Sequence, residues 1–286
     1  MGTLPGGYWD AAGDLHREYD LALLTGREEE LLAAAGARPS AALVTEVLSR
    51  CVRRLGGIAP VPPEVARGLL VADRHYLLLQ LRRASFGDHV RAQLVCPWPD
   101  CGERISLDFS LGDVPVEEAS ERAPLHALTL EDGGTEVCFR LPDGGDQEAL
   151  SGELERNEGA ALTALLARCV TRLGPHEPPG EERVAGLTAR ERYAIEERMR
   201  ELAPSVGQTM EAPCAECGRT VVAPFDIQRF FFGELRTDGE LLYEEVHYLA
   251  FHYHWGEQEI MSLTRDKRRR YIEVLADRIE VLNSGA

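Results

Sequence analysis

Seven cysteines stand in this chain of 286 residues, and four of them form two pairs of similar design. Cys96-Pro-Trp-Pro-Asp-Cys101-Gly and Cys214-Ala-Glu-Cys217-Gly each place a glycine directly after the second cysteine. Each pair lies between β-prone segments, Val90 to Val95 and Arg104 to Phe109 for the first, Gln208 to Ala212 and Thr220 to Phe225 for the second. Two thiolates on one tight turn can fill two corners of a tetrahedron, and glycine lets the backbone fold close to the sulfurs. Two such turns fill all four corners, so Cys96, Cys101, Cys214 and Cys217 are expected to hold one structural zinc per chain. Four thiolates leave no open position for a catalytic water. The alternatives are vestigial or redox cysteines, and the redox one needs a thioredoxin-like strand-to-helix context that the sequence does not offer. Cys51, Cys138 and Cys169 sit on apolar faces and are read as small core residues.

More than a hundred residues separate the pairs, far too many for a local finger. The elements that could bring them together appear as an internal repeat with a spacing of 118 residues. Leu23, Gly26, Glu30 and Leu32 fall on Leu141, Gly144, Glu148 and Leu150. Thr45, Leu48, Arg50, Cys51, Val52, Arg54, Leu55 and Gly56 fall on Thr163, Leu166, Arg168, Cys169, Val170, Arg172, Leu173 and Gly174. Arg74 and Cys96 then meet Arg192 and Cys214, after which the spacing drops to 116 inside the cysteine turn. A single register over so long a stretch points to duplication, with two packed halves and the metal on a pseudo-two-fold axis between them.

Each half reads as one set of elements: a short alternating strand (from Glu18 or Glu136), then a short acidic helix, Glu28 to Ala34 or Asp146 to Leu150. Val44, Val47, Leu48, Cys51 and Leu55 predict a helix with one core-facing stripe, closed by Gly56. Another helix is expected from Pro63 to Ala84, with Glu182 to Leu202 as its counterpart, and then the cysteine turn. The stretches 112–124, 142–152 and 174–182, rich in Gly, Pro and Glu, read as loops. The fold class is therefore α+β: a mainly helical duplication with small β zinc-knuckle elements and a helical C-terminal appendage. The expected units are residues 1–118, 119–237 and 238–286.

Apolar residues make up 44% of the chain, enough for a real core, and the formal charge is −17. That balance argues against a phosphate-binding surface for nucleic acid or anionic membrane. No secretory leader pattern is visible at the first residues, and no apolar run approaches the roughly 20 residues of a membrane span. A cytoplasmic protein is expected, without a small-molecule substrate: the sequence shows no nucleophile motif, phosphate-binding glycine loop or HExxH. A zinc-ribbon nucleic-acid-binding regulator is the alternative, disfavoured by the acidic Asp88, Asp100, Glu103, Asp108, Glu211 and Glu216 around the knuckles.

Beyond Gly239 nothing has a counterpart in the other half. A helix from Leu241 to Trp255, a break at Gly256 and a last helix with Tyr271, Ile272, Leu275, Ile279 and Leu282 on one stripe are expected. Aromatic residues are concentrated here, and aromatics supply large contact area at low entropic cost. Tyr248, Phe251, Trp255, Tyr271, Leu275 and Ile279 are the expected partner-binding residues; packing onto the same chain is the competing reading. His247, His252 and His254 do not share a helical face and are not read as ligands. The basic run Arg265 to Arg270 is read as a solvated helix face, with contact to an acidic partner as the alternative.

The repeat, with its segment from Phe139 to Leu150 (FRLPDGGDQEAL) and its cysteine pairs, resembles the baseplate-hub assembly family of contractile-tailed bacteriophages. Members also occur in phage-derived contractile injection particles. The stretch from Tyr243 to Trp255, with Glu259, Ile260, Leu263 and Arg268 to Tyr271, resembles a small helical module reminiscent of tail-assembly chaperones. The resemblance implies a non-enzymatic role in a baseplate or hub, either as an assembly factor or as a minor structural component of the tail particle, with other baseplate, hub or tail proteins as partners.

Overall fold

In the computed structural model, residues 1–34, 40–131, 134–154, 156–207, 209–235 and 239–284 are described. Gln208, at the edge of one expected strand, lies outside them. Strands β1 (Gly2–Trp9), β2 (Leu15–Leu21) and β3 (Val52–Leu55) form one antiparallel sheet in the order β1-β2-β3. Between β2 and β3 lie helices α1 (Gly26–Ala34) and α2 (Ala41–Cys51). Ser40 caps α2 by accepting the Leu43 N–H at 3.1 Å, and Glu28 reaches back to the Thr25 N–H at 2.9 Å to start α1. Helices α3 (Pro63–Gly68) and α4 (Val71–Phe86) lead into the hairpin of β4 (His89–Val95) and β5 (Arg104–Ser110).

After a single 3-10 turn, Leu111–Asp113, and the two-residue β6 (Val116–Glu117), the same order of elements runs again. Strands β7 (His126–Thr129), β8 (Glu136–Phe139) and β9 (Val170–Leu173) form a sheet in the order β7-β8-β9 around α5 (Gly144–Leu154) and α6 (Glu158–Cys169). Helices α7 (Glu181–Ala185) and α8 (Ala189–Leu202) follow. β10 (Ser205–Val206) pairs with β6, and then comes the hairpin of β11 (Thr209–Pro213) and β12 (Thr220–Pro224). The chain closes with α9 (Ile227–Leu235), α10 (Gly239–Tyr253), α11 (Glu257–Met261) and α12 (Arg265–Ser284).

Backbone details recur at the spacing seen in the sequence. Tyr19 pairs with Leu55 and Asp20 with Arg54 in the first sheet; Val137 pairs with Leu173 and Cys138 with Arg172 in the second. Gly56 (φ 54°) donates its N–H to the Glu18 carbonyl, and Gly174 (φ 56°) does so to Glu136. Arg74 donates to the Thr45 hydroxyl at 2.9 Å, and Arg192 to Thr163 at 3.1 Å. Below the hairpins α1 and α5 meet different neighbours. Helices α2, α3 and α4 pack on α5, whereas α1 packs on α9, α10 and α11.

Several expected elements end elsewhere. The stripe through Leu55 is not one helix: α2 stops at Cys51, and Val52 begins β3, where pairing with β2 outweighs one more helical turn. Gly56 is the turn after that strand. The long helix from Pro63 is two, because Leu69 is extended and its carbonyl accepts the Gly144 N–H at 3.0 Å. Gly68 marks this break, and Gly186 with the Thr188–Glu191 capping box marks its counterpart. The stretch 142–152 is mostly helix α5. The outer strands β1 and β7 were not anticipated; β1 carries Pro5, Gly6 and Gly7, residues that depress strand propensity. The appendage has three helices rather than two.

The first half, α9 and the base of the hairpins share one core, with Leu4, Leu48, Leu55, Leu77, Leu81, Phe225 and Phe231 among its residues. The second half has its own around Val137, Phe139, Leu166, Cys169 and Ile195. Among the described residues no helix is long and apolar enough to cross a membrane.

Candidate metal centre

The turn of the β4–β5 hairpin holds Cys96 and Cys101, and that of the β11–β12 hairpin holds Cys214 and Cys217. In each, the first cysteine closes the ladder: the Cys96 N–H donates to the Glu103 carbonyl and the Cys214 N–H to the Arg219 carbonyl, at 2.8 and 2.9 Å. The glycine after each second cysteine lies in the left-handed region, Gly102 at φ 68° and Gly218 at φ 70°. A Cβ would meet nothing within 4 Å at either position, so backbone conformation rather than space calls for glycine.

The four sulfurs all lie within 4.8 Å of one another. Cys96 Sγ is 3.8 Å from Cys217 Sγ, and Cys101 Sγ is 3.7 Å from Cys214 Sγ. A tetrahedral zinc with Zn–S bonds of about 2.3 Å has S···S edges of about 3.8 Å, whereas a disulfide needs about 2.05 Å. All seven cysteines are free thiols. The set therefore fits a tetrahedral thiolate-bound ion. Ile105, Ala212 and Val221 wall the sulfurs into a small apolar cluster, leaving Cys96 and Cys214 buried and Cys101 and Cys217 half-buried.

The Cys214 thiol is held down to about 7, chiefly because the Cys217 backbone N–H points at its sulfur. The Glu103 N–H lowers Cys101 in the same way, but desolvation and the three neighbouring thiols outweigh it and push it up to about 12. Desolvation also raises Cys96. A protein-only pocket thus resists a second and third thiolate, and a divalent cation is what would allow all four.

Outside the sulfurs, Arg219 ties the knuckles together. Its guanidinium donates to both Asp100 oxygens at 2.7 and 2.6 Å and lies 5.0 Å from the centre of the Trp98 ring. Sequence reasoning passed over this clamp. The signal was the two extra residues of the first cysteine turn, the loop that holds Trp98 and Asp100. Cys51 and Cys169 are buried, and desolvation pushes each thiol up to about 12, as expected of inert core residues. Half-buried Cys138 lies 3.0 Å from an Arg172 guanidinium nitrogen.

The residues expected to bind a partner are placed differently from one another. Phe251 is 66% exposed. Trp255 and Tyr271 are half-buried against each other with ring centres 4.9 Å apart, beside the small core of Leu242, Leu249, Ile260 and Met261. Tyr248, Leu275 and Ile279 are half-buried, and Val281 and Leu282 near the end of α12 are exposed. The basic run is not uniformly solvated. Arg268 is fully buried, bonded to both Glu29 oxygens at 3.0 Å and to Glu245 at 2.9 Å, and Arg265 also reaches Glu29. The acids that claim these arginines belong to α1 and α10, elements remote from Arg268 in sequence.

Residues 16–232 match the family described as T4 bacteriophage base plate protein, with all four cysteines inside the matched span. The chain belongs to that family. Neither a curated protein nor a solved structure matches it. The base plate family carries with it a phage base plate structural or assembly role. Its match ends inside α9, so the α10–α12 appendage lies outside what the family defines.

Proposed function

We propose that this chain is a non-enzymatic, zinc-stapled component or assembly factor of the baseplate hub in a contractile tail, of a phage or of a derived injection device. The observation that carries the zinc is the gathering of four sulfurs within 4.8 Å, with two of their edges at 3.8 and 3.7 Å; the family match carries the baseplate. The knuckles descend from one duplicated unit, a reading supported by the shared sheet registers and the paired Arg74–Thr45 and Arg192–Thr163 bonds. The units are residues 1–118, 119–237 and 238–286. The two halves pack about a pseudo-two-fold axis that passes through the metal, a reading supported by the crosswise approach of Cys96 to Cys217 and of Cys101 to Cys214. The zinc joins distant parts of one chain rather than activating water.

Partners are other baseplate, hub or tail proteins, met in the cytoplasm during assembly, with no role for nucleic acid, membrane or small substrate. The appendage docks one of them, in the manner of an assembly chaperone, through the exposed Phe251 and the free end of α12. Tyr248, Trp255, Tyr271, Leu275 and Ile279 support that face from their half-buried positions. Deleting the appendage is a poor test, since it would orphan the buried Glu29. Phe251→Ser and Leu282→Glu are better. Both are expected to keep the melting temperature and zinc content while losing co-purification with other tail components. Unchanged co-purification would remove the appendage from the interface, and protein isolated without chelator and free of zinc would remove the staple.

A further inference from the structure

A face that the first half buries stands open in the second. On α1 and α2, Leu32, Leu43, Val44 and Val47 are all buried, within one core that includes Phe231 and Phe232 of α9. Helices α10 and α11 pack on α1 beside them. The positions 118 residues on are Leu150, Ala161, Leu162 and Leu165, and they line a groove of about 710 Å³ along α5 and α6, closed on its other side by Ala41 and Val71 of the first half and Gln228 of α9. Leu162 is 38% exposed there, and Leu154 at the rim is 59% exposed.

The first half owes its cover to the chain that follows the second knuckle, helices α9 to α12. After the first knuckle the chain makes only the 3-10 turn and the two-residue β6. Among the described residues no equivalent helix lies over the second half, and in a second copy the same helices are already seated on the copy's own first half. Glu29, which Arg268 and Arg265 meet, corresponds to Gln147, whose buried Oε1 has no hydrogen-bond partner among the described residues. Exposed Glu158 and Asp226 make the rim acidic, on a chain of net charge −17.

We propose that the α5–α6 groove is a docking site for an amphipathic helix of another baseplate protein. That helix presents an aliphatic or aromatic stripe to Leu150, Leu162 and Leu165, with arginine or lysine along its flank. The proposal rests on the equivalence of the two halves inferred above, and it names a surface separate from the appendage. Burying such a stripe is the main source of affinity, with the basic flank steering the encounter.

A photo-crosslinking benzoylphenylalanine placed at Leu162 of the full chain, expressed with its native tail gene cluster, tests this. Irradiation is expected to yield an adduct to one peptide of one other tail protein, with apolar residues spaced three and four apart and basic residues between them. Leu162→Glu should lower co-purification of that protein at least tenfold while leaving zinc content and melting unchanged. Gln147→Glu should make the association more salt-sensitive if the donor is a cation. Adducts only within the chain or to a second copy, or none, overturn the proposal, as does a Leu162→Glu chain that binds undiminished. Whether the chain is present in purified tail particles tests the baseplate reading separately.

Discussion

Helix α1 starts at Gly26 and helix α5 at Gly144, 118 residues apart, and against each glycine lies an arginine from elsewhere in the chain. At Gly26 it is Arg268 of α12, beside the Leu263 carbonyl that accepts the Gly26 N–H; at Gly144 it is Arg74 of α4, beside the Leu69 carbonyl. A Cβ at Gly144 would overlap the Arg74 guanidinium and lie 2.8 Å from the Arg67 carbonyl. The appendage thus stands to the first half as the first half stands to the second. Three positions on, the pattern diverges into a buried carboxylate held by two arginines in α1 and a neutral amide beside an open groove in α5. Similar local sequence yields the same elements, but the neighbour that arrives decides which side chains are core and which are surface.

The largest effect expected from testing this comparison lies where the halves are joined. Serine at Cys96 or at Cys214 should abolish zinc binding and loosen both halves alike, against a coupled binding and folding energy of about 10 kcal/mol in small zinc sites. Elemental analysis and thermal melting check it, and a variant that melts only one half would show that the knuckles are independent. Next comes the buried arginine of the appendage. Arg268→Met should cost about 3 kcal/mol in urea denaturation, because it removes the fully buried cation shared by Glu29 and Glu245 and leaves them only the flanking Arg265 and Arg269. Adding Glu29→Gln, which reproduces the second half's residue, should recover part of that loss.

A smaller difference separates Arg74 from Arg192. Arg74 is fully buried and bonds Thr45 and the Ala41 and Ala66 carbonyls, whereas half-buried Arg192 bonds Thr163 and the Ala185 and Leu187 carbonyls. Arg74→Met should destabilise by about 2–3 kcal/mol and Arg192→Met by about 1 kcal/mol, following the greater penalty for unmet buried acceptors. Equal losses would mean that burial does not distinguish the halves.

A last effect shows only as the pH is lowered. Burial of His75 lowers it to about 4 from an ordinary value near 6.5. Between those values the unfolded chain binds the proton and the folded chain does not, so stability rises with pH across that window and is lost as pH falls through it. Asp73, fully buried, is pushed up to about 6 by desolvation despite the Gly6 and Gly7 N–H bonds, so it acts oppositely as pH rises through 4 to 6. His75→Gln should therefore flatten the loss of stability between pH 6.5 and 4, by at most about 3 kcal/mol. Denaturant midpoints at a series of pH values would show it.

The cysteine pairs were legible because ligand chemistry is local: two thiols, a tight turn and a following glycine announce themselves within seven residues. The repeat was legible because equal spacing survives whatever packs around it. Glycine at Gly68 and the capping box at Thr188–Glu191 also marked the helix breaks, although the apolar periodicity on either side masked them. By contrast, the clamp of Arg219 on Trp98 and Asp100 crosses more than a hundred residues, and the two extra residues of the first cysteine turn mark where one side of it lies without naming Arg219 as the other.

Taken alone, the sequence determined which residues could bind metal, how the strands and helices recur, and that the last helices stand outside the recurrence. Only the tertiary structure decided that the four sulfurs converge, that Arg268 belongs to a buried ion network rather than a solvated face, and that Val44 of α2 is covered while Leu162 of α6 is left in a groove. The reason is physical. Turn chemistry, capping and periodicity act between residues a few positions apart, whereas burial depends on which distant element removes water from a face.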